Sequence, residues 1–397
     1  MMSETKLIVK KPASHVNRVL FEHNANPEAP CLVVFCGIHG NEKAGLEAFH
    51  LLLPLLEEEK LSGSLYVLSG NIPALARGQR FIDEDLNRLW KRKSLEDGFL
   101  SENKISENKD RKELLRIIND ISSTITGPLY FIDVHTTSAA SIPFITIDDS
   151  LINRRFTSVF PVPVVLGIEE YLQGALLSYI NQQGFVSLGF EAGEHHDECS
   201  VRNAESFLYM ALCVAGVMKP NQDLIKTHRE RLERNSGKDH SFYEVIYRFA
   251  LGPGDDFKMC RGYENFQKVG EGALLAYYNG KELKAEEETT IFMPLYQKQG
   301  EDGFFFVRRI PSWILGVSAG LRLLRLDALL ALLPGISWID PEKNGLRVNL
   351  KTVRFLAKPL FHLLGYREIE EDQYHLLIYN RERASQKERY PFKYPKL

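Results

Sequence analysis

The stretch Gly37-Ile38-His39-Gly40-Asn41-Glu42 sets an imidazole and a carboxylate three residues apart, close enough for both to reach one cation. The pair also reads as a loop histidine followed by a first-turn glutamate that stabilises a helix N-terminus. Gly37 and Gly40 permit a tight turn that exposes ligands. A third candidate, His135, closes the run FIDVH. Two histidines and one carboxylate that leave a coordination position open are the ligand set of hydrolytic rather than closed structural zinc. Asp133 stands two residues before His135, on the same face of an extended chain. There it either orients the histidine from behind or is solvated at a strand end. Glu191 follows Leu188, Gly189 and Phe190 in VSLGFEAG, and a carboxylate after so apolar a run has either an ion-pair partner or a task. Beside an activated water it would act as general base and then general acid.

The segment RFIDEDLNRLW, residues 80–90, gathers Arg80, Asp83, Asp85, Asn87 and Arg88. Guanidinium offers a bidentate fork and asparagine a further donor, so the cluster suits recognition of a carboxylate; by itself it equally fits a solvated helix start. His195 and His196 in GEHHD read as extra ligands, proton shuttles or a surface loop, and adjacent side chains diverge.

Positioning these groups falls to alternating strands and helices. CLVVFC (31–36), SLYVLSG (64–70), PLYFIDVH (128–135), PFITIDD (143–149) and GFVSLGFEAG (184–193) read as strands, and KAGLEAFHLLLPLLEEEK follows the first of them at helical spacing. That alternation predicts an α/β sheet with crossover helices. In an open α/β sheet the carboxyl ends of strands face a shared crevice, which is where His39, His135 and Glu191 fall. Residues 91–112 are charged and read as a solvated excursion with some helix. Composition shifts near Pro220, where QDLIKTHRERLERN precedes short strands, and Asn279-Gly280 is the strongest hairpin signal in the chain. The expected division is therefore 1–219, a small β domain at 220–310, and a C-terminal α+β extension at 311–397.

The chain has 397 residues, 44% hydrophobic and 25% charged, with 49 Lys and Arg against 52 Asp and Glu. This composition excludes collagen-like, coiled-coil and wholly disordered chains, and its balance offers no electrostatic case for nucleic acid. The five cysteines form no CxxC pair and read as reduced core residues. The N-terminal stretch builds no secretory apolar run, so a cytoplasmic location is expected. Trp313 to Trp338 is the most apolar late stretch, but Arg322, Arg325 and Asp327 interrupt it, which predicts a buried or amphipathic helix and no membrane span. A homo-oligomer is left open.

With GIHGNE, GNIPALARGQRFIDEDLNRLW, FIDVHTTS and FEAG in that order, the sequence resembles the succinylglutamate desuccinylase and aspartoacylase family of zinc hydrolases over residues 30 to 310. The resemblance implies a carboxypeptidase-like, doubly wound mixed-sheet domain followed by a small β domain. It implies one zinc ion per chain on His39, Glu42 and His135, with Glu191 as catalytic base and Arg80 polarising the scissile carbonyl. Asn87 and Arg88 match the pair that grips a substrate carboxylate, and Asp85 is structural. The expected reaction is hydrolysis of an amide or ester in a small carboxylate-bearing substrate such as an N-acyl amino acid. Two departures stand out: Asn181 replaces the arginine with which aspartoacylases bind aspartate, and Gly303-Phe304-Phe305 replaces their AYY motif. Thr136-Thr137, after the third ligand, is not usual in desuccinylases. A binding or regulatory protein on the same scaffold, or a zinc carboxypeptidase, are the rival readings.

Overall fold

Every residue of the strand Cys31–Cys36 is buried, as a strand covered by helices on both faces must be. Its alternate side chains enter two different cores. Leu32, Val34 and Cys36 pack with the helices Ala44–Glu58 and Glu198–Val214, whereas Cys31, Val33 and Phe35 pack with Glu107–Thr124 and Leu176–Gln182. This doubly wound arrangement is that of a computed structural model, which describes residues 5–6, 16–91, 105–341, 343–353, 358–372 and 374–395. Most of the charged excursion read at 91–112 lies outside the described residues; helix Glu107–Thr124 begins within its end.

The strands are β1 (Thr5–Lys6), β2 (Val19–His23), β3 (Cys31–Cys36), β4 (Ser64–Ser69), β5 (Leu129–Thr137), β6 (Phe144–Ile147), β7 (Val164–Leu166), β8 (Val186–Glu194) and β9 (Phe242–Ala250). There follow β10 (Phe257–Met259), β11 (Gln267–Val269), β12 (Leu274–Tyr278), β13 (Lys281–Lys284), β14 (Thr289–Phe292) and β15 (Asp302–Ile310). The large sheet runs β1-β2-β4-β3-β5-β8-β6-β7-β9-β15-β14-β11. Its centre is parallel, β4 to β3 to β5 to β8, while β2 and β6 run antiparallel to β4 and β8. The sheet is therefore mixed. The short strands β2 and β7 have no counterpart in the sequence reading.

The boundary expected near residue 220 does not separate two sheets. Ile225 and Leu232 of helix Gln222–Asn235 join the first core, and β9 pairs in parallel with β7, so β9, β15, β14 and β11 prolong the large sheet. Among the described residues from 220 to 310, only β10, β12 and β13 form a separate small sheet. Its hairpin turns at Asn279 (φ +50°) and Gly280 (φ +75°), the positive pair that a type I′ turn demands.

Residues 311–395 add helix Ser312–Leu323, a 3₁₀ turn Leu326–Leu332, and a four-stranded sheet of β16 (Ile336–Trp338), β17 (Gly345–Asn349), β18 (Tyr366–Asp372) and β19 (His375–Asn380), ordered β16-β17-β19-β18. This sheet carries its own core of Leu346, Val348, Phe361, Tyr366 and Ile378. The chain then returns to the first domain. Tyr390 and Tyr394 enter that core, and the Tyr390 hydroxyl donates to Leu129 O at 2.6 Å while accepting from Val186 N at 3.0 Å. The closing segment, basic in sequence, is thus a structural strap. Of the cysteines, Cys31, Cys36 and Cys213 are core residues, but Cys199 is exposed and Cys260 half-buried; all five are unpaired thiols. Among the described residues no helix is long and apolar enough to cross a membrane.

Candidate active site

At the end of β3, Gly37 turns the chain with φ +71°, and a Cβ there would lie 2.6 Å from a Leu75 methyl. Only glycine meets both demands. The turn brings His39 and Glu42 under the end of β5, where His135 sits, and the three are buried with ligand atoms within 4.8 Å of one another. Glu42 lies between the two rings: His39 Nδ1 is 2.9 Å from Oε1 and His135 Nδ1 2.9 Å from Oε2. Each histidine's other nitrogen is held by an aspartate, His39 Nε2 by Asp85 at 3.1 Å and His135 Nε2 by Asp133 at 2.6 Å. An aspartate that accepts Nε2–H leaves the Nδ1 lone pair free for a cation, so the donor set fits a divalent metal. Asp133 is fully buried rather than solvated. Asp85 touches His39 directly, which the DLNR motif does not reveal.

Burial by itself would raise the carboxyl pKa of Glu42, but the two histidines hold it well below the ordinary range. Burial would likewise depress His135, yet Asp133 and Glu42 push it well up. Backbone Thr136 N donates to Glu42 Oε2 at 3.0 Å, a contact no side-chain motif announces. Arg80 reaches the same centre, donating to Glu42 Oε1 at 3.3 Å and to Asp85 Oδ2 at 3.1 Å. Its loop is pinned by buried Glu107, which accepts from Ile82 N at 2.6 Å and from Asn71 Nδ2 at 3.0 Å.

Glu191 lies on β8 directly across from His135 on β5. Its Oε2 is buried without a hydrogen-bond partner. Burial pushes this carboxyl up to about 8; His135 and Arg80 oppose the rise, while Glu42 and Asp133 add to it. With the triad and Arg80 this carboxyl lines one cavity of about 140 Å³.

Asn87 and Arg88 line the same cavity. Asn87 Oδ1 accepts from Leu176 N at 2.9 Å, and Arg88 Nη2 donates to Asp302 Oδ2 of β15 at 3.2 Å. Arg88 therefore meets an acid supplied by the β strands, which the motif does not foretell. Asn181 is buried on helix Leu176–Gln182, and the cavity is lined instead by its neighbours Leu177 and Ser178. Phe305 lines the cavity, whereas Phe304 packs into the small β core. His195 Nδ1 lies 2.7 Å from Oγ1 of Thr136, which lines the cavity, and His196 is exposed. The cavity's far wall contains Asp148 and Glu169. Burial and the nearby Asp148 push Glu169 up to about 8 against the pull of Arg381, which reaches in from the extension to Glu169 Oε1 at 2.8 Å and Glu170 Oε1 at 2.9 Å.

Residues 28–219 match the family described as the succinylglutamate desuccinylase/aspartoacylase catalytic domain. The likeness to the succinylglutamate desuccinylase/aspartoacylase family is thus carried by residues 28–219. A succinylglutamate desuccinylase of Shewanella pealeana is 25% identical over 293 residues, 68% of this chain and 79% of the relative. That of Shewanella woodyi is 48% identical over 61 residues, 15% of this chain and only 18% of its own length. Among solved structures, a succinylglutamate desuccinylase/aspartoacylase of Rhodobacter sphaeroides aligns with a TM-score of 0.53 at 18% identity, covering 72% of this chain and 87% of that one. The succinylglutamate desuccinylase of Vibrio parahaemolyticus gives 0.51 at 16% identity, covering 78% and 91%. At these identities the structural likeness is one of fold.

Proposed function

We propose that this protein is a zinc-dependent deacylase of the desuccinylase/aspartoacylase family, with one zinc per chain, that hydrolyses an amide, or an ester, in a small carboxylate-bearing substrate of the N-acyl amino acid class. The observation that carries the reading is the convergence of His39, Glu42 and His135 beside a carboxylate, Glu191, whose Oε2 has no partner. A zinc ion held by the three side chains supplies Lewis acidity. Asp85 and Asp133 keep both Nδ1 atoms aimed at that point. Glu191 takes the proton of the attacking water through Oε2 and returns it to the leaving nitrogen. Arg80 presents its guanidinium to the oxyanion that develops on the carbonyl. Asn87 and Arg88 hold the substrate carboxylate, with the Arg88 fork giving it register.

The test joins metal content with turnover. Elemental analysis is expected to find about one zinc per chain, lost in His39→Ala with His135→Ala. Glu191→Gln should retain the metal and lose roughly 100- to 10,000-fold in kcat on an N-acyl amino acid panel. A Gln variant of near wild-type turnover would remove Glu191 from the mechanism. Turnover of peptides but not of N-acyl amino acids would favour the carboxypeptidase reading, and absence of zinc affinity the binding-protein reading.

A further inference from the structure

Half of the large apolar side chains exposed among the described residues fall between Trp313 and Leu333. In this segment the usual sidedness of a surface helix is reversed. Three polar residues face inward: Ser318 Oγ donates to Leu363 O at 2.7 Å, Arg322 to Asp149 Oδ2 at 2.6 Å, and Asp327 accepts from Tyr366 at 2.9 Å and Arg383 at 2.7 Å. Leu330 is buried and Leu315 and Leu321 pack against the cores, but Trp313, Leu323, Leu324, Leu329 and Leu332 face outward, between 58% and 79% exposed. Contiguous apolar surface of this kind marks an interaction site.

The charge around the face selects the occupant. Among the described residues from 311 to 353, each exposed charged side chain is a cation: Arg325, Lys343, Arg347 and Lys351. The extension carries 14 Lys and Arg against 9 Asp and Glu, a net of +5 in a chain whose total is −3. Arg325 stands between Leu324 and Leu326 in left-handed backbone, φ +52°, so the one exposed charge of the helix and turn is set among leucines. Two copies of this face in symmetric contact would set Arg325 against Arg325, with no exposed acid among the residues of the helix and turn. An anionic headgroup layer answers the cations while its acyl boundary takes up the leucines. The helix Ser312–Leu323, at 12 residues, is too short to span a bilayer, which needs about 20, but suits lying in its surface.

We propose that the outward face of Ser312–Leu323 and Leu326–Leu332 docks this protein on an anionic lipid bilayer, with Trp313 and the leucines inserted at the acyl boundary and Arg325 on lipid phosphate. Flotation of the full-length, zinc-loaded protein with phosphatidylcholine vesicles, with and without phosphatidylglycerol, tests it. Wild type should float with the anionic vesicles, less with neutral ones, and less as salt rises. Leu324→Glu with Leu332→Glu alters two of the most exposed side chains and should leave circular dichroism and the melting temperature unchanged while lowering partitioning by about tenfold or more. A blue shift of tryptophan emission on vesicle binding should weaken in Trp313→Phe. The proposal is overturned if wild type fails to float, if it floats equally with neutral vesicles, or if the double variant floats as well as wild type. It is also overturned if wild type is a dimer in solution that the double variant splits and no vesicle binding occurs, because the face then belongs to a second copy. Hydrolysis of a soluble substrate should be the same in wild type and double variant, so this test is independent of the proposed chemistry.

Discussion

Replacing Asp133 by Asn probes the arrangement on which the proposed metal binding depends. Asp133 is fully buried, its Oδ2 accepts the proton on His135 Nε2 at 2.6 Å, and its Oδ1 has no partner. A carboxylate only accepts, so it compels the tautomer that leaves Nδ1 bare on the side of Glu42. Asparagine can keep that hydrogen bond by turning its amide oxygen toward the ring, at the cost of the ionic part of the interaction. A charged hydrogen bond is worth about 1.5–3 kcal/mol net against about 0.5–1.5 for a neutral one. The difference of roughly 1–2 kcal/mol corresponds to about 5- to 30-fold weaker zinc affinity, inside the roughly 10- to 100-fold usual for such outer partners. Competition with a chromophoric chelator measures it, with circular dichroism checking the fold. In a His135→Ala background the Asp133→Asn effect should vanish, since the aspartate acts through that ring. An unchanged zinc Kd in Asp133→Asn, or an equal loss with and without His135, would refute the reasoning.

Asp302→Asn should release Arg88 from its 3.2 Å ion pair and lower KM for carboxylate substrates by roughly fivefold, about 1 kcal/mol. Arg88→Lys, which loses the planar fork, should raise KM, and steady-state kinetics on the two variants decides whether Arg88 binds substrate. Burial draws the His228 pKa from 6.5 down to about 4, so between those values the unfolded chain holds a proton that the folded one refuses. Stability should fall as pH is lowered through that window, and His228→Gln should remove up to about 1.4 kcal/mol per pH unit of the slope in urea titrations; parallel slopes would contradict it. Tyr390→Phe gives up two buried hydrogen bonds to β5 and β8 and should lower stability by about 2 kcal/mol. Tyr390→Ala, which also empties the ring's place in the core, should lower it by about 3–5 kcal/mol or more, whereas wild-type denaturation midpoints in both would make the closing segment dispensable.

Much of the chemistry is legible in the sequence because it lies at strand ends. CLVVFC and LYFI announce buried strands by their unbroken apolar character, and residues toward the carboxyl end of such a run or in the turn after it are delivered to the crevice of an α/β sheet. His39, Glu42, His135 and Glu191 all stand at that kind of position, and the hairpin at Asn279-Gly280 is written in two adjacent residues. Asp133 is half legible: the strand period puts it on the face of His135, but whether it is wet or buried depends on what covers β5.

What the tertiary structure alone decides involves residues far apart in the chain, and no local pattern records those pairs. Parallel pairing of β5 with β8 sets Glu191 across from His135, and crossover connections leave no register signal between such strands. Asp302 finds Arg88 across 214 positions, and Arg381 finds Glu169 across 212. The small β domain expected from residue 220 largely joins the main sheet because β9 finds a free edge at β7. The basic closing segment becomes a strap because two tyrosines find room in a core built by residues more than 150 positions earlier. Local spacing determines which side chains a strand end presents; which of them meet, and which are cut off from water, is settled only when distant segments pack together, because burial and long-range hydrogen bonding belong to the folded chain and not to any stretch of it.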